Sequence, residues 1–202
     1  GQPNLSQDRE NLAGKILRIA DDGSIPPDNP FGNEVYSWGH RNSQGLAWDN
    51  KGQLWATEHG RSGVQSGLDE LNLITRGANY GWPTIEGDEM QLGMERPVIH
   101  SGEDDTWAPA GAVYLPAQRS LGEVGDGSIF FAGLRGTALY EYKIDEKQLV
   151  THFKGEYGRL RTVALGPDGF LYISTSNRDG RGAVKAGDDK ILKVNPEVFR
   201  KW

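Results

Sequence analysis

The amino-acid sequence predicts an all-β fold, and a β-propeller is the favoured architecture. Glycine accounts for 28 of 202 residues, about twice the usual ~7%, and Asp and Asn recur with it between short apolar runs, as in tight turns. Segments of β type follow one another with turn signals every ~8–12 residues, whereas helical periodicity is nearly absent. A sandwich or a barrel shares these signals, but an internal repeat favours the propeller.

The internal repeat consists of two segments with the same pattern. Residues 45–57 are GLAWDNKGQLWAT and residues 163–175 are VALGPDGFLYIST. Each segment has a short strand, a tight turn of Asn/Asp-Gly type and a second strand that ends on Thr, which predicts a hairpin. A helical turn is predicted only at 197–202, and no linker divides the chain. Further strands are predicted at 15–20, 71–74, 112–115, 128–132, 138–144, 149–153 and 190–194.

The composition argues against several classes of function. The chain has no cysteine and a formal net charge of −6. The absence of cysteine excludes disulfides, zinc–thiolate sites and a cysteine nucleophile, and the acidic balance argues against nucleic acid as the main partner. No segment has the ~18–20 consecutive apolar residues of a membrane span. No signal peptide is visible, as in a mature secreted protein, and no serine-hydrolase elbow, P-loop or Rossmann glycine pattern is present.

Four arginines lie beside glycines where predicted strands end: Arg41, Arg135, Arg159 and Arg161. Guanidinium groups in such places can bind carboxylates or phosphates through two hydrogen bonds each. Asn42 would add an amide beside Arg41. The alternative is that each arginine pairs with a local carboxylate. In this acidic chain, the pattern predicts that the four arginines converge on a ligand with several negative charges.

The segment Glu58-His59-Gly60 follows the first repeat. His59 is a candidate general base, metal ligand or ligand-stacking residue, and a structural role is the alternative. Gly60 would let the backbone approach a ligand closely, so its carbonyl is a candidate ligand for a hard cation.

Acidic residues are concentrated after this segment and in a long loop at 84–105. Oxygen-rich loops suit calcium, although the spacing is not that of an EF-hand, and a solvated acidic rim is the alternative. Thr106 and Trp107 either line a cavity or begin a strand, and residues 79–83 form a packing corner or contact a ligand. The acidic residues are Asp69, Glu70, Glu86, Asp88, Glu89, Glu103, Asp104 and Asp105.

Taken in order, these segments resemble the soluble quinoprotein sugar dehydrogenases, the glucose/sorbosone and aldose sugar dehydrogenase family. The most specific of them are GHRNSQGLA at 39–47 and NYGWP at 79–83. The resemblance covers essentially the whole chain. The other matching segments are 11–18, 22–26, 58–60, 69–74, 77–83, 108–111, 134–136, 159–161 and 166–169.

The resemblance implies a six-bladed β-propeller that binds pyrroloquinoline quinone (PQQ) and calcium on one face. Residues 1–202 would be the C-terminal portion of that domain, supplying about the last three blades. Arg41 would polarise the reactive quinone carbonyl, with Asn42 beside it, and His59 stands where some members have Gln. The residues implied to hold the carboxylates and rim of the cofactor are Thr106, Arg135, Arg159 and Arg161.

The resemblance also implies two calcium sites. The carbonyls of Gly60 and Arg61 would reach the calcium of the cofactor, although members often have Pro where this chain has Arg61. Glu70 and Tyr80, with an acid such as Asp88, would form the second site.

The implied function is a quinoprotein oxidoreductase that oxidises the C1 hydroxyl of aldoses by hydride transfer to PQQ and passes electrons to an external acceptor. The catalytic His of the family lies on an earlier blade, and none of the four histidines here has a matching context. We therefore expect the isolated chain to lack efficient sugar oxidation, and to self-associate or to pair with a missing N-terminal half. Members act outside the cytoplasm, which implies a periplasmic or secreted protein.

Two alternatives remain open from the sequence. One is a non-catalytic propeller that binds sugar or protein in a calcium-dependent way. The other is a lactonase-type propeller hydrolase with a central metal, for which Glu58 and Asn177 are the candidate ligands.

Overall fold

The computed structural model describes residues 2–63, 66–117 and 126–199, which form four antiparallel sheets with almost no helix. The all-β prediction is confirmed. Short 3-10 helices lie at Pro3–Gln7 and Pro196–Phe199. The strands are β1 Lys15–Leu17, β2 Val35–Trp38, β3 Ser43–Trp48, β4 Leu54–Glu58, β5 Glu70–Ile74, β6 Ile99–His100, β7 Pro109–Leu115, β8 Ser128–Gly133, β9 Ala138–Lys143, β10 Gln148–His152, β11 Leu160–Leu165, β12 Leu171–Thr175 and β13 Ile191–Val194.

Each sheet is a meander of consecutive strands. The sheets contain β1–β2, β3–β6, β7–β10 and β11–β13, in chain order. Within each sheet, every strand after the first pairs antiparallel with the strand before it, so the chain completes one sheet before it begins the next. Successive meanders of this kind are the units from which propellers are built. Closure of a propeller and its number of blades stay predictions.

The two copies of the repeat are both hairpins, as predicted. In the β3–β4 turn, the Asp49 carboxylate accepts hydrogen bonds from the backbone N–H groups of Lys51 and Gln53. In the β11–β12 turn, the N–H of Gly169 donates to the carbonyl of Gly166 at 2.9 Å. Gly52 and Gly169 have φ of 74° and 78°. Glycine adopts these angles without the steric cost that a Cβ would bring, which explains the repeated glycine.

The sheets pack face to face, and β8 is buried on both sides. Its alternate residues Ile129 and Phe131 join a core with the β3–β6 sheet, which contains Trp55 and Leu71. Phe130, on the opposite face, joins a second core with the β11–β13 sheet. Burial of one such side chain contributes roughly 1.5–3 kcal/mol. The alternation therefore makes the central sheet the common support of its two neighbours.

Close approach between β3, β7 and β11 depends on glycine. A Cβ on Gly45 would lie 2.3 Å from the carbonyl oxygen of Ala110, and a Cβ on Gly111 would lie 2.3 Å from the Thr162 hydroxyl. Thr57 completes the first contact, because its hydroxyl donates to the Ala110 carbonyl at 2.8 Å and accepts from the N–H of Gly45. The first strands of the three sheets are thereby drawn together.

Three elements were not predicted. The short strands β2 and β6 have too few residues to show a period of their own, and β6 is defined by its pairing with β5. The 3-10 helix at Pro3–Gln7, near the N-terminal end, was not predicted. The helical turn predicted at 197–202 is seen as the 3-10 helix Pro196–Phe199, and residues 200–202 lie outside the described residues. In the described part of the chain, no helix has the length and apolar character needed to cross a bilayer.

Candidate functional site

The loops at one end of three sheets enclose a cleft of about 380 Å³, which we call the arginine cleft. The lining residues follow β4, precede β7, follow β8, precede β11 and follow β12. In an antiparallel meander the start of one strand and the end of the next lie at the same edge, so these positions meet. The residues are His59, Arg61, Ser62, Gly63, Ser66, Asp69, Thr106, Ala108, Leu134, Arg135, Arg159 and Arg181.

Asp69 ties two loops of the cleft together. Asp69 is buried, with only 2% of its surface exposed. One carboxylate oxygen accepts hydrogen bonds from the Thr106 hydroxyl at 2.7 Å and from the N–H groups of Trp107 and Ala108. The other accepts from the N–H of Gly60 at 2.9 Å. A buried carboxylate is stabilised by several N–H donors, and here those donors belong to both segments that hold predicted site residues.

His59 presents an unsatisfied nitrogen at the cleft. Its Nε2 is buried without a hydrogen-bond partner among the described residues. Burial lowers the pKa of His59, the charge of Asp69 opposes this, and the charges of Arg41 and Arg161 lower it further. The imidazole is therefore held in the neutral form at neutral pH. A buried polar atom without a partner is costly and points to a ligand that would supply one.

Arg41 and Arg135 carry guanidinium groups that form no ion pair within the described chain. Arg41 donates to the His59 carbonyl at 3.3 Å and to the Ser62 hydroxyl at 2.5 Å, and it lies 5.4 Å from the ring centre of Trp82. Arg135 donates to the Ser66 hydroxyl at 2.5 Å. Neutral partners leave the positive charge of both residues available to an anion.

Arg159 and Arg161 share one carboxylate. Arg159 donates two hydrogen bonds to Asp179, at 3.0 and 2.8 Å, and Arg161 approaches the same oxygen at 3.3 Å. Burial opposes ionisation of Asp179, but the hydrogen bonds and charges of the two arginines lower its pKa. Asp179 was not predicted. It lies in the Asn-Arg-Asp-Gly turn after β12, and only its position at the same edge as Arg159 could have identified it.

Against the cleft, a second and much smaller cavity is lined by three carboxylate side chains, and we call it the carboxylate chamber. It measures about 10 Å³, at the lower limit of the space that one water molecule needs. His59 lines both cavities. The other lining residues of the chamber are Arg41, Glu58, Gly60, Leu68, Glu70, Tyr80, Trp82, Ile85 and Glu86.

Glu58 is the carboxylate of the chamber that local donors satisfy. It accepts hydrogen bonds from His40 Nδ1 at 2.8 Å, from the Ser43 hydroxyl at 2.9 Å and from the backbone N–H of Arg41. Burial opposes ionisation of Glu58, but the charge of His40 and these hydrogen bonds lower its pKa. His40 is itself buried and stacks on Tyr80, with ring centres 4.7 Å apart. The pair thus anchors the backbone of Arg41.

Glu70 is the carboxylate that the chamber leaves unsatisfied. Burial, and then the negative charge of Glu58, raise the pKa of Glu70 to about 8. Its hydrogen bonds are few and long, from the Asn72 amide at 3.1 Å and from the N–H of Gly87 at 3.4 Å. A bound cation would reverse this penalty.

The remaining predicted metal ligands are engaged in other contacts. The Tyr80 hydroxyl donates to the Leu73 carbonyl at 2.6 Å, so only the main chain of Tyr80 could bind a metal. Asp88 is exposed and lies 3.1 Å from His100 Nε2, and Arg61 donates to Glu86 at 2.5 Å. Within the described ranges, no three His, Asp or Glu side chains form a metal-binding group. A calcium site here would depend on main-chain oxygens together with Glu70.

The donor set of the arginine cleft fits a flat polycarboxylate such as PQQ. Its volume is in the range of about 300–1,000 Å³ that is usual for small-molecule sites, and it brings together His59, Thr106, Arg135 and Arg159. Arg41 and Arg161 contact its margin, because Arg41 binds Ser62 and Arg161 shares Asp179 with Arg159. Of the predicted cofactor residues, Asn42 alone shows no side-chain contact with this group; its side chain is exposed and its carbonyl accepts from the N–H of His59.

Several of the known proteins that are similar to this chain are sugar dehydrogenases. The aldose sugar dehydrogenase of Streptomyces coelicolor, solved in a PQQ-bound form, superposes with a TM-score of 0.83 at 45% identity and covers 96% of this chain and 55% of its own. The aldose sugar dehydrogenase YliI of Escherichia coli is 31% identical over 96% of this chain and 54% of its own length. The quinoprotein glucose dehydrogenase B of Acinetobacter calcoaceticus is 46% identical over 85 residues, which are 40% of this chain and 17% of that protein.

The chain spans about half the length of the two aldose sugar dehydrogenases. The sequence model of the family described as Glucose / Sorbosone dehydrogenase matches residues 1–186. That match covers nearly the whole described chain and includes every predicted site residue. The chain belongs to the glucose/sorbosone dehydrogenase family.

Proposed function

We propose that this chain carries the cofactor-binding part of a PQQ-dependent sugar dehydrogenase that oxidises the C1 hydroxyl of an aldose. The observation that supports it best is the arginine cleft. An acidic chain with net charge −6 directs several guanidinium groups, a neutral His59 with an unpartnered Nε2 and the Thr106 hydroxyl to one space. Cations gathered in this way need an anionic ligand to offset their mutual repulsion.

The arginines in the cleft and at its margin would have separate roles: some would bind the cofactor, and one would activate it. Arg135, Arg159 and Arg161 would hold the carboxylates of the cofactor, with Asp179 fixing the orientation of the last two. Bound PQQ would supply two-electron oxidation at its quinone carbonyls. Arg41 is held by His59 and Ser62, and a fixed cation stabilises negative charge that develops on a carbonyl oxygen. Arg41 is therefore the residue of this chain to which we assign a catalytic role.

His59 and Asn42 would complete the contacts around Arg41. The lowered pKa of His59 keeps a hydrogen-bond acceptor available and avoids a further positive charge beside Arg41. Asn42 lies next in the chain, with an exposed amide. We assign both residues to cofactor binding.

Calcium is part of the proposal. Glu70, whose pKa burial raises to about 8, would be the carboxylate that binds it, together with main-chain oxygens of Tyr80 and with Asp88. The carbonyls of Gly60 and Arg61 would serve a second ion beside the cofactor. Hard cations prefer such oxygen ligands.

The wider setting also follows the relatives. The four meanders would form blades of a six-bladed propeller, about three of them complete here, and electrons would leave to an external acceptor. A periplasmic or secreted location and pairing with an N-terminal half remain parts of the proposal. The lactonase alternative is not favoured, because Glu58 is engaged by His40 and Ser43, and Asn177 by Arg159 and Tyr157.

The test is substitution of Arg41 in a protein that contains this chain and spans the length of its relatives. Arg41→Ala should reduce the rate of dye reduction with an aldose and PQQ by ~10²–10³-fold, the effect of removing one charge-stabilising donor. Arg76→Ala, at an exposed arginine after β5, is the control and should retain the rate. Unchanged turnover and PQQ affinity in Arg41→Ala would refute the assignment.

A further inference from the structure

A third cavity of about 330 Å³ lies between the β7–β10 and β11–β13 sheets, and we call it the side pocket. It is formed by the turn after β8, the loop before β11 and the loop after β12. Four residues, Leu134, Arg135, Arg159 and Arg181, line both the side pocket and the arginine cleft, so these residues form the wall between the two spaces. The polar residues of the side pocket are Arg135, Thr137, Arg159, Asn177, Arg181 and Lys185.

The side pocket is strongly cationic. Four of its lining residues are Arg or Lys and none is Asp or Glu. In the described part of the chain, the side chains of Arg181 and Lys185 form no hydrogen bond or ion pair, and Arg135 bonds only to the Ser66 hydroxyl. Arg159 alone is paired, with Asp179. Three uncompensated positive charges therefore face one concave space in a chain of net charge −6.

The acidic residues of the neighbouring loop are directed elsewhere. Asp188 accepts from the backbone N–H of Lys185 at 2.8 Å and lies 3.5 Å from Lys190 Nζ. Asp189 accepts from the backbone N–H of Asn177 at 2.6 Å. These contacts shape the loop that carries Arg181 and Lys185 without neutralising either side chain. The positive charge is thus a property of the pocket itself.

We propose that the side pocket binds a phosphate-class oxyanion. Arginine forks bind phosphate through paired hydrogen bonds, and a lysine ammonium adds a point charge, so one dianion matches the three unpaired cations. Thr137 adds a hydroxyl to the lining. The volume is in the range of small-molecule sites and exceeds what phosphate alone would fill, so the source of the oxyanion is either free phosphate or the phosphate ester of a sugar.

The side pocket is distinct from the arginine cleft in the residues that define it. Lys185, Thr137 and Asn177 line the side pocket and not the cleft, whereas His59, Asp69 and Thr106 line the cleft and not the side pocket. The proposal does not depend on dehydrogenase activity. Phosphate binding can be measured without PQQ, and PQQ binding without phosphate, so failure of one proposal leaves the other intact.

Calorimetric titration of the purified chain in a phosphate-free chloride buffer tests the proposal. The probes are inorganic phosphate, glucose 6-phosphate and glucose. We expect saturable binding of at least one phosphorylated probe and none of glucose, with the affinity reduced ~10-fold or more in Lys185→Gln, equivalent to about 1.4 kcal/mol, because Lys185 lines the side pocket and not the cleft. Tighter binding of glucose 6-phosphate would identify a sugar phosphate as the occupant, and equal or weaker binding would identify free phosphate.

The matched control is Arg76→Gln, which removes one charge from an exposed position outside the pocket. It should bind phosphate as the unaltered chain does, and thermal unfolding should show that both variants are folded. The proposal is overturned if neither phosphorylated probe binds, or if both variants lose affinity equally. It is also overturned if Lys185→Gln weakens PQQ binding as much as phosphate binding, because the pocket would then be part of the cofactor cleft.

Discussion

The arginine cleft and the carboxylate chamber share His59 but treat charge in opposite ways. Arg135 in the cleft and Arg41 at its margin bond to neutral groups, and their charges remain available within the described chain. In the chamber, Glu58 is fully engaged by local donors, whereas desolvation of Glu70 raises its pKa to about 8. This difference supports the proposal that the cleft receives an anion. It also supports the proposal that Glu70 is the carboxylate of the chamber that would bind a cation.

The largest effect is expected at Asp69, on which the geometry of the cleft depends. Asp69→Asn replaces one carboxylate oxygen by an amide NH2 group, which would point at hydrogen-bond donors. It also removes the negative charge to which the Thr106 hydroxyl and the Gly60 N–H donate. The free energy of unfolding should fall by about 2–4 kcal/mol, and PQQ affinity should fall with it. Urea unfolding and a PQQ titration measure the two effects. Asp104→Asn, at an exposed position, should change neither; a stable Asp69→Asn with intact PQQ binding would contradict the role.

Arg159 tests whether the cations of the cleft bind an anion. Arg159→Ala should weaken PQQ binding about 10- to 100-fold, the loss of one charge-assisted bidentate contact. Arg178→Ala is the matched control, because Arg178 is exposed and bonds to the Asp188 carbonyl outside the cleft. Equal PQQ affinities for the two variants would show that Arg159 does not contact the ligand.

The pH dependence of stability tests the role of Glu70 in the chamber. Between the ordinary carboxyl pKa of 4.5 and about 8, folded Glu70 keeps a proton that the unfolded chain has released. Stability therefore falls as the pH rises through this window. At pH 8 without calcium, Glu70→Gln should raise the free energy of unfolding by about 1–2 kcal/mol, with little effect at pH 4.

Calcium and Glu58 sharpen this test. Calcium should stabilise the unaltered chain more at pH 8 than at pH 5 and should not stabilise Glu70→Gln. The effect of Glu58→Gln on the free energy of unfolding should have the opposite sign: the substitution should destabilise the chain at pH 8, because the pKa of Glu58 is lowered. A calcium effect that survives in Glu70→Gln would place the ion elsewhere.

The smallest effect is expected at the Arg61–Glu86 pair. The two side chains are 36% and 19% exposed, and pairs near the surface contribute about 0–1 kcal/mol. Glu86→Gln should therefore lower the free energy of unfolding by less than ~1 kcal/mol and leave PQQ affinity unchanged. A larger loss in urea unfolding would show that Glu86 contributes more to stability than a pair near the surface does.

Local patterns made the all-β class, the hairpin turns and the arginines beside glycines predictable. The Asp49–Gly52 and Gly166–Gly169 turns can be recognised from a few consecutive residues, and so can the arginines beside glycines. The engagement of Asp69, Asp179 and Glu58 could not be predicted, because each contacts residues far away in the sequence or on another loop. An acidic residue looks the same in the sequence whether it is buried as a hub, as Asp69 is, or exposed, as Asp88 is.

The central claim is that the arginine cleft is a PQQ site, and titration of the purified chain with PQQ, followed by absorbance with and without calcium, tests it most directly. Arg135→Ala is the comparison variant, because among the described residues the Arg135 side chain bonds only to Ser66 and its loss should not disturb the fold. We predict saturable, calcium-dependent binding that is at least ~10-fold weaker in Arg135→Ala. Absence of saturable binding, or equal affinity in Arg135→Ala, would contradict the account.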